Sequence, residues 1–219
     1  MRLALFGGTF DPVHSGHLTA AQEALRTFAL DRVLFVPASH PPHKRNRSLT
    51  PFVHRYAMVT LACAGAPQFL PSLLEAPVER EGEPNYSIST VRKVKATLAA
   101  EDQLYFLVGA DAFLDIAQWR EPVALLDSCD FIIVSRPGFP ISEIEKVVAR
   151  ELWCGSPTET TLSLRRTMLH LLTSVAADVS SSSVRQVAAE GKPLCGLVPE
   201  AVADYIHKLG LFLDENQTE

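Results

Sequence analysis

The sequence lacks the cysteine spacings of metal sites and redox centres. Its four cysteines (Cys63, Cys129, Cys154 and Cys195) are widely dispersed, and no two of them form a CxxC pair. Dispersed cysteines among apolar or loop residues are typical of reduced thiols, so we expect a cytoplasmic protein. No apolar run reaches about 18 residues and no signal-peptide pattern precedes the first strand, so we expect no membrane span.

An excess of basic residues is also absent. Twenty lysines and arginines stand against 25 aspartates and glutamates, which gives a net charge of −5. This balance argues against a nucleic-acid or anionic-membrane surface, although a local pocket for a small anion needs only a few basic residues. The chain has 219 residues, 47% of them hydrophobic, which is enough for a sizeable core. We expect a single domain over residues 1–219, with a small helical part at about 180–213.

The stretch from Leu5 to Leu18, LFGGTFDPVHSGHL, has the features of a phosphate-binding turn. An apolar strand runs into a pair of glycines, and a helical pattern begins near Gly16. Paired glycines let backbone N–H groups approach an oxyanion, and a helix N-terminus supplies unpaired donors and partial positive charge. His14 and His17 lie three residues apart at this helix start, so both imidazoles can face one ligand.

Two other interpretations of this stretch are weaker. A strand–helix turn with two incidental histidines explains any one of these residues, but not their joint occurrence. Two histidines without a cysteine or acidic partner at ligand spacing make a poor zinc site. The dinucleotide fingerprint and the P-loop lysine pattern are both absent. The stretch therefore indicates a nucleotide phosphate cradle of a different kind.

Strand and helix patterns alternate along the chain. Apolar runs predict strands at 3–6, 32–37, 103–108, 130–134 and 167–172, with further extended segments at 68–74 and 76–80. Helical patterns cover 16–29, 51–64, 87–100, 122–126, 142–152 and 199–209, whereas 153–163 is uninformative. The strand–helix–strand order predicts an α/β, Rossmann-like fold, with an open, mostly parallel sheet and helices on both faces.

The polar loop 38–50, ASHPPHKRNRSLT, follows the second predicted strand. It is either a solvated surface loop or part of a ligand site, because open α/β sheets bind ligands at the carboxyl edge of their strands. In the second interpretation Lys44 is a candidate phosphate ligand.

Three further positions carry candidate binding groups. Asn85-Tyr86-Ser87 precede a predicted helix, where they suit a carboxylate or phosphate but equally an ordinary N-cap. Asp111 follows a strand and a glycine, where its carboxylate can meet ribose hydroxyls or simply cap a helix. Trp119 can stack on a flat heteroaromatic ring, although most tryptophans are packing residues.

A run of four serines, residues 180–183, is followed by Arg185. Serine runs are usually flexible linkers, but this one stands between a predicted strand and an amphipathic pattern that extends to Ala189. Hydroxyl groups and free N–H groups at a helix start, with an arginine on the first turn, form an anion site. We therefore expect a second phosphate-binding motif here.

The stretch GGTFDPVHSGHL resembles the signature of the nucleotidyltransferase superfamily, and in full it is similar to that of the bacterial nicotinate-nucleotide adenylyltransferases. Further similar motifs are PPHK at 41–44, the Tyr-Ser step at 86–87, GAD at 109–111, Trp119, RPG at 136–138 and the serine run. The serine run departs from the family at Ser182, where a threonine is usual, but the hydroxyl is retained. The resemblance covers almost the whole chain.

The resemblance implies roles for individual residues. His14, His17, Lys44 and Arg185 would contact the ATP phosphates. The ATP-binding set would comprise Gly7, Gly8, Thr9, Phe10, Gly16, Gly109, Asp111, Arg136, Ser181 and Ser182, although Arg136 could instead form a structural salt bridge. The pyridine nucleotide would be bound by Lys44, Tyr86, Ser87, Asp111 and Trp119.

The implied activity is transfer of the adenylyl group of ATP to nicotinate mononucleotide in NAD biosynthesis, with Mg²⁺ bound to the triphosphate and no metal ligand assigned on the protein. Two alternatives remain at this point. A sister transferase would use another phosphorylated acceptor, such as nicotinamide mononucleotide or phosphopantetheine, and a non-catalytic sensor would only bind adenine nucleotide. We expect neither nucleic acid nor membrane as a partner, and a homo-oligomer is compatible with the sequence.

Overall fold

The computed structural model describes residues 1–41, 49–77, 84–174 and 179–213. Within these ranges the strands are β1 (Arg2–Gly8), β2 (Arg32–Pro37), β3 (Phe69–Pro71), β4 (Gln103–Gly109), β5 (Asp130–Val134), β6 (Thr161–Ser163) and β7 (Met168–Leu172). The helices are α1 (Ser15–Thr27), α2 (Phe52–Cys63), α3 (Ser87–Lys95), α4 (Ala110–Phe113), α5 (Pro122–Leu126), α6 (Ile141–Val147), α7 (Ser181–Ala189) and α8 (Glu200–Lys208). None of these helices is long and apolar enough to cross a membrane.

The strands form one sheet in the order β3-β2-β1-β4-β5-β7-β6. All neighbouring pairs are parallel except β6 and β7, which are antiparallel. β1 lies next to the central strand β4: the chain first adds β2 and β3 on one side of β1, and then returns to add β4, β5, β7 and β6 on its other side. The predicted Rossmann-like, mostly parallel sheet is confirmed.

Helices cover both faces of the sheet. In β1, Leu3 and Leu5 belong to one hydrophobic cluster, whereas Ala4 and Phe6 belong to another. Successive side chains of a strand point to opposite faces, so the two clusters lie on opposite sides of the sheet. Residues of α1, α2, α7 and α8 complete one cluster, and residues of α3, α5 and α6 complete the other.

The structure differs from the predicted elements at several boundaries. Helix α3 ends at Lys95, short of the predicted 100, because the Thr97 hydroxyl donates to the Val94 carbonyl at 2.7 Å and competes with the helical pattern. The predicted helix 142–152 divides into α6 and a short 3₁₀ turn. Strand β6 lies in the uninformative stretch and was not predicted. In the predicted extended segment 76–80, residues 76 and 77 form no strand, and the others lie outside the described residues.

The parallel arrangement places the segments that follow β1, β2, β4 and β5 at one edge of the sheet. These segments include the turn before α1, the loop after Pro37 and the start of α4. A hydrogen bond of 2.9 Å from the Ala38 N–H to the Gly8 carbonyl continues the pairing of β1 and β2 at this edge. Since ligands bind at the carboxyl ends of strands in open α/β sheets, this edge is where a site is expected.

Candidate active site

The turn between β1 and α1 is shaped by Phe10. This residue has a positive φ of 50° and is almost fully buried. Its ring packs against those of Phe6, Phe35 and His17, with centroid distances of 5.6, 5.7 and 5.0 Å. A Cβ atom on Gly8 would lie 2.9 Å from the edge of the Phe10 ring, so the second glycine provides space for this ring. The sequence motif therefore encodes a turn in which a phenylalanine folds back beneath the glycines.

His14 and His17 form a stacked pair at the start of α1. Their ring centroids lie 3.7 Å apart with an interplanar angle of 33°. The backbone N–H of His14 donates to Nδ1 of His17 at 3.2 Å, so this nitrogen is unprotonated and the neutral His17 ring carries its proton on Nε2. His17 can thus act as an N–H donor from Nε2.

His14 is the more buried of the two histidines. Burial lowers the pKa of His14 from 6.5 to about 4, so its ring is neutral at neutral pH. Among the residues that the structure describes, its Nδ1 has no hydrogen-bond partner, and neither has the buried Oδ1 of Asp11 in the preceding turn. Buried polar atoms usually have partners, so these two atoms mark the turn as a place where a ligand or water is expected.

The serine run begins α7 and packs directly on this turn. Ser180 is the N-cap, and its hydroxyl accepts from the Ser183 N–H at 3.1 Å. Ser181 donates from its hydroxyl to the carbonyl of Pro12 at 2.9 Å. The serine run is therefore an ordered helix start and not a linker, and it joins the histidine turn across the sequence.

Arg185 makes the second connection between α7 and the turn. Its Nη1 donates to the carbonyl of Asp11 at 2.5 Å, and its Nη2 donates to the hydroxyl of Ser182 at 3.1 Å. The guanidinium group is thereby held between the turn and the serine run. The two motifs that the sequence singled out as anion-binding thus form one continuous surface.

Arg55 of α2 contacts the same turn from another side. Its side chain is fully buried. Its guanidinium donates to the carbonyls of Thr50, Thr9 and Ala38 at 2.8, 2.7 and 2.8 Å. Burial lowers the pKa of Arg55, and the nearby Asp11 carboxylate partly compensates. One side chain thus connects the segments that follow β1 and β2 and the start of α2.

A cavity of about 380 Å³ opens beside the turn. Its lining includes Gly7, Gly8 and Thr9, where β1 ends. Tyr86 and Ser87, at the N-terminus of α3, and Trp119 also line it. The Trp119 ring packs edge-on against Phe106, with centroids 6.1 Å apart. The cavity therefore combines an aromatic wall with a glycine-rich strand end and with the N-terminus of α3.

Glu75 is a buried carboxylic acid in the wall of the same cavity. Its Oε1 accepts a hydrogen bond from the Thr90 hydroxyl at 2.5 Å. Burial raises the pKa of Glu75, and the Thr90 hydrogen bond and Lys93 oppose that change. The carboxyl group adds a polar atom to a wall that is otherwise largely apolar.

The other predicted site residues lie in three places. Phe10 and Gly16 are buried within the turn and the first turn of α1. Gly109, Asp111 and Arg136 are exposed at the ends of β4 and β5, and the lining of the cavity does not include them. Lys44 lies outside the described residues.

Sequence patterns did not indicate that three further residues lie at or near the site. Arg55 falls within a predicted helix, where an arginine is usually exposed, and only tertiary contacts show that it is buried. Glu75 lies in a segment without a clear pattern. Arg120 also lines the cavity, and its position directly after Trp119 is the one signal that could have indicated it.

Comparison with known proteins identifies the family to which the sequence is similar. A family model described as cytidylyltransferase-like matches residues 5–187. A Moorella thermoacetica protein named "Probable nicotinate-nucleotide adenylyltransferase" is 39% identical over 211 residues, which are 96% of this chain and 91% of the relative. A Solibacter usitatus protein of the same name is 43% identical over 203 residues, which are 93% of this chain and 95% of the relative.

Solved structures show the same fold. The nicotinic acid mononucleotide adenylyltransferase of Plasmodium falciparum complexed with NaAD has a TM-score of 0.71 and 20% identity. The similarity covers 96% of this chain and 97% of that one. The same protein complexed with APC has a TM-score of 0.70. At this identity the similarity concerns the fold alone.

Proposed function

Because this chain belongs to the cytidylyltransferase-like family and is related over nearly its whole length to nicotinate-nucleotide adenylyltransferases, we propose that it adenylylates nicotinate mononucleotide. The reaction consumes ATP and yields nicotinate adenine dinucleotide and pyrophosphate, as a step of NAD biosynthesis. The observation that carries the proposal is the joining of the histidine turn and the serine run through Arg185 and Ser181. A single triphosphate can contact both motifs.

The chemistry requires positioning more than proton transfer. A phosphate oxygen of nicotinate mononucleotide attacks the α-phosphorus of ATP in line. The bond from that phosphorus to the oxygen bridging to the β-phosphate breaks, and pyrophosphate leaves with this oxygen. The attacking phosphate is already ionised at neutral pH, so no general base is needed. Catalysis then consists of alignment and of stabilising the negative charge that develops.

The two histidines are assigned to the α- and β-phosphate oxygens. Nε2–H of His17 donates to an oxygen of the α-phosphate as its charge increases. His14 has a low pKa only while no anion is near, and the triphosphate favours its protonated form. Arg185 and Lys44 hold the departing pyrophosphate, because both carry a permanent positive charge at neutral pH.

The remainder of ATP is assigned to the carboxyl edge of the sheet. Backbone groups of residues 7–9 and of Gly16 approach the phosphates, and the hydroxyls of Ser181 and Ser182 add donors at the start of α7. Gly109, Asp111 and Arg136 follow β4 and β5 at the same edge, where they would face the nucleoside part.

The cavity is assigned to the pyridine nucleotide. Trp119 offers an aromatic surface for the pyridine ring, and the N-terminus of α3 at Tyr86 and Ser87 suits its carboxylate. Asp111 would contact a ribose. A volume of about 380 Å³ is in the range of small-molecule sites.

Mg²⁺ is expected to accompany the triphosphate. The described residues contain no group of three or more histidine, cysteine, aspartate or glutamate side chains placed to hold a metal. Mg²⁺ usually retains several waters and binds substrate phosphates in such enzymes, so we assign the ion to the triphosphate of ATP. The ion would reduce the charge of the triphosphate, and the residues named above would bind its remaining oxygens.

We also propose that residues 1–219 act as one domain in the cytoplasm. The helices α7 and α8, which carry or follow the second motif, share a hydrophobic cluster with α1 and α2. This shared cluster supports a single domain in which α7 and α8 are part of the main core. A homo-oligomer is compatible with this arrangement, and sedimentation would determine the subunit number.

A panel of acceptors tests the proposed function. The purified chain is incubated with ATP and Mg²⁺ and, separately, nicotinate mononucleotide, nicotinamide mononucleotide or phosphopantetheine, and pyrophosphate release is followed. We expect the highest kcat/KM for nicotinate mononucleotide. Higher kcat/KM with another acceptor would identify a sister transferase. Calorimetric ATP binding without pyrophosphate release from any acceptor would identify an adenine-nucleotide sensor.

A further inference from the structure

Arg120 is the one arginine in the wall of the cavity as the structure describes it. It follows Trp119 directly, and its guanidinium carbon lies 5.8 Å from the ring centroid of Tyr86. The positive charge thus lies beside the residue that caps α3. Two positive features, a guanidinium and a helix N-terminus, therefore adjoin the same aromatic wall.

The acidic neighbours of Arg120 have closer partners: the pKa of Glu121 is lowered first by its hydrogen bond with Arg92 and only to a smaller extent by the charge of Arg120. Glu121, the next residue, pairs instead with Arg92, whose nitrogens lie 2.6 and 3.4 Å from its two carboxylate oxygens. Asp115 accepts from the Gln118 amide at 3.3 Å. Arg120 itself forms no ion pair within the part of the chain that the structure describes. Its donors are thus available to an anion in the cavity.

Glu75 is the second acidic residue in the cavity wall, besides Asp115. Burial raises the pKa of Glu75, and its carboxyl group is already bonded to the Thr90 hydroxyl. A ligand carboxylate therefore meets less repulsion than the presence of two acidic residues in the wall would suggest.

Nicotinate and nicotinamide mononucleotides share their ribose and phosphate. They differ in one substituent of the pyridine ring, which is a carboxylate in the first and a neutral carboxamide in the second. Trp119 and Arg120 are consecutive and line the same cavity, so the substituent of a ring stacked on Trp119 can face the guanidinium group. A guanidinium group binds a carboxylate through two parallel hydrogen bonds, which a carboxamide cannot match because its nitrogen is itself a donor.

We propose that Arg120 is a specificity-determining residue that pairs with the ring carboxylate of nicotinate mononucleotide and makes the enzyme prefer the acid to the amide. This inference rests on the proposed function and adds the group that selects the substrate.

The test compares Arg120→Gln and Arg120→Lys with the wild type. For each protein, kcat/KM is measured with nicotinate and with nicotinamide mononucleotide at saturating ATP. We expect Arg120→Gln to lower kcat/KM for the acid by roughly ten- to a hundredfold, the range of hydrogen bonds to a charged group, and to affect the amide far less. Arg120→Lys keeps the charge but loses the paired donors, so an intermediate loss is expected.

Arg150→Gln is the matched control. Arg150 is also exposed and lies over an aromatic ring, with its guanidinium carbon 4.0 Å from the Trp153 centroid, but it is not part of the cavity wall. This variant should retain the wild-type ratio of acid to amide. An equal ratio in Arg120→Gln and the wild type would overturn the inference. So would an equal loss for both substrates, which would indicate a contact with the shared phosphate or a structural role.

The wild-type measurement separates this inference from the proposed function. Pyrophosphate release with nicotinate mononucleotide supports the function whatever Arg120 does. If the wild type does not use this acceptor, both the function and the role of Arg120 are refuted. Unchanged ATP affinity of Arg120→Gln by calorimetry would show that the variant is folded, so that a changed ratio reports on the ring carboxylate.

Discussion

The guanidinium Nη1 of Arg185 donates a hydrogen bond of 2.5 Å to the backbone carbonyl of Asp11, 174 positions earlier in the chain. This contact fixes the start of α7 against the turn between β1 and α1. The Ser181 hydroxyl reinforces it by donating to the carbonyl of Pro12 at 2.9 Å. The histidine turn and the serine run, which we propose to bind phosphate, therefore depend on each other for their geometry.

Ser181→Ala tests this dependence. Removal of the hydroxyl leaves the Pro12 carbonyl without its donor, and we expect a loss of about 1 kcal/mol in the free energy of unfolding. Urea denaturation measures this loss. Ser89→Ala is the control, because Ser89 is exposed on α3 and its substitution should change the free energy of unfolding by no more than about 0.5 kcal/mol. Equal stability losses in the two variants would contradict the assignment.

His17→Ala tests the proposed donor to the α-phosphate. Loss of one preorganised donor typically costs about 2.7–4 kcal/mol in the transition state, so turnover should fall by about a hundred- to a thousandfold. Pyrophosphate release gives the rate, and circular dichroism establishes that the variant is folded. His207→Ala, which changes an exposed histidine of α8, should retain full turnover. Near-normal turnover of His17→Ala would refute the role.

The buried ring of His14 makes stability depend on pH. Its pKa is about 4 in the folded protein but 6.5 in an unfolded chain, so only the unfolded chain binds a proton between these values. The contribution of His14 to stability is therefore complete above pH 6.5 and is lost as the pH falls toward 4. Between pH 7.5 and 5 the loss should be about 2 kcal/mol.

Urea denaturation of the wild type and of His14→Gln at both pH values measures this effect. The variant should lack the part of the pH dependence that His14 causes. Burial also lowers the pKa of His170, but this residue is present in both proteins, so its effect cancels in the difference. Identical pH dependence in the two proteins would show that His14 is accessible to protons in the folded state.

The glycine pair provides a sharp steric test. In Gly8→Ala the new Cβ would lie 2.9 Å from the Phe10 ring, which is buried and held by three other rings. We expect a loss of about 1–3 kcal/mol in stability, as in other overpacked sites. In Gly7→Ala the nearest atom, on Phe106, lies at an ordinary 3.5 Å, so a smaller loss is expected. Thermal unfolding of both variants compares them directly.

Arg55→Met should be the most destabilising of these changes. It removes the donors to three backbone carbonyls in segments that surround the site. Each unsatisfied buried acceptor costs about 1–3 kcal/mol, so the total should reach about 3 kcal/mol or more. Arg26→Met, which breaks an exposed pair with Glu23, should change stability by less than about 1 kcal/mol. Similar denaturation midpoints for the two variants would contradict the structural role of Arg55.

Much of the sheet could be predicted from local patterns. The strand 32–37 and the helix 122–126 match the structure residue for residue, because their apolar runs are bounded by clear turn signals. Strand β6 could not be predicted, since its three residues form a strand only by antiparallel pairing with β7. The burial of Arg55 could not be predicted either, because no local pattern distinguishes a buried arginine from one on a helix surface.

The sequence alone determined the α/β class and indicated the two motifs proposed to bind anions, because strand and helix periodicities and the glycine, histidine and serine patterns are local properties of the chain. Tertiary structure alone decided that these motifs meet, that Tyr86, Trp119 and Arg120 border one cavity, and that His14 is buried enough to lose its charge. These features depend on the order of strands in the sheet, which brings distant segments to one edge and sets the solvation of each group there.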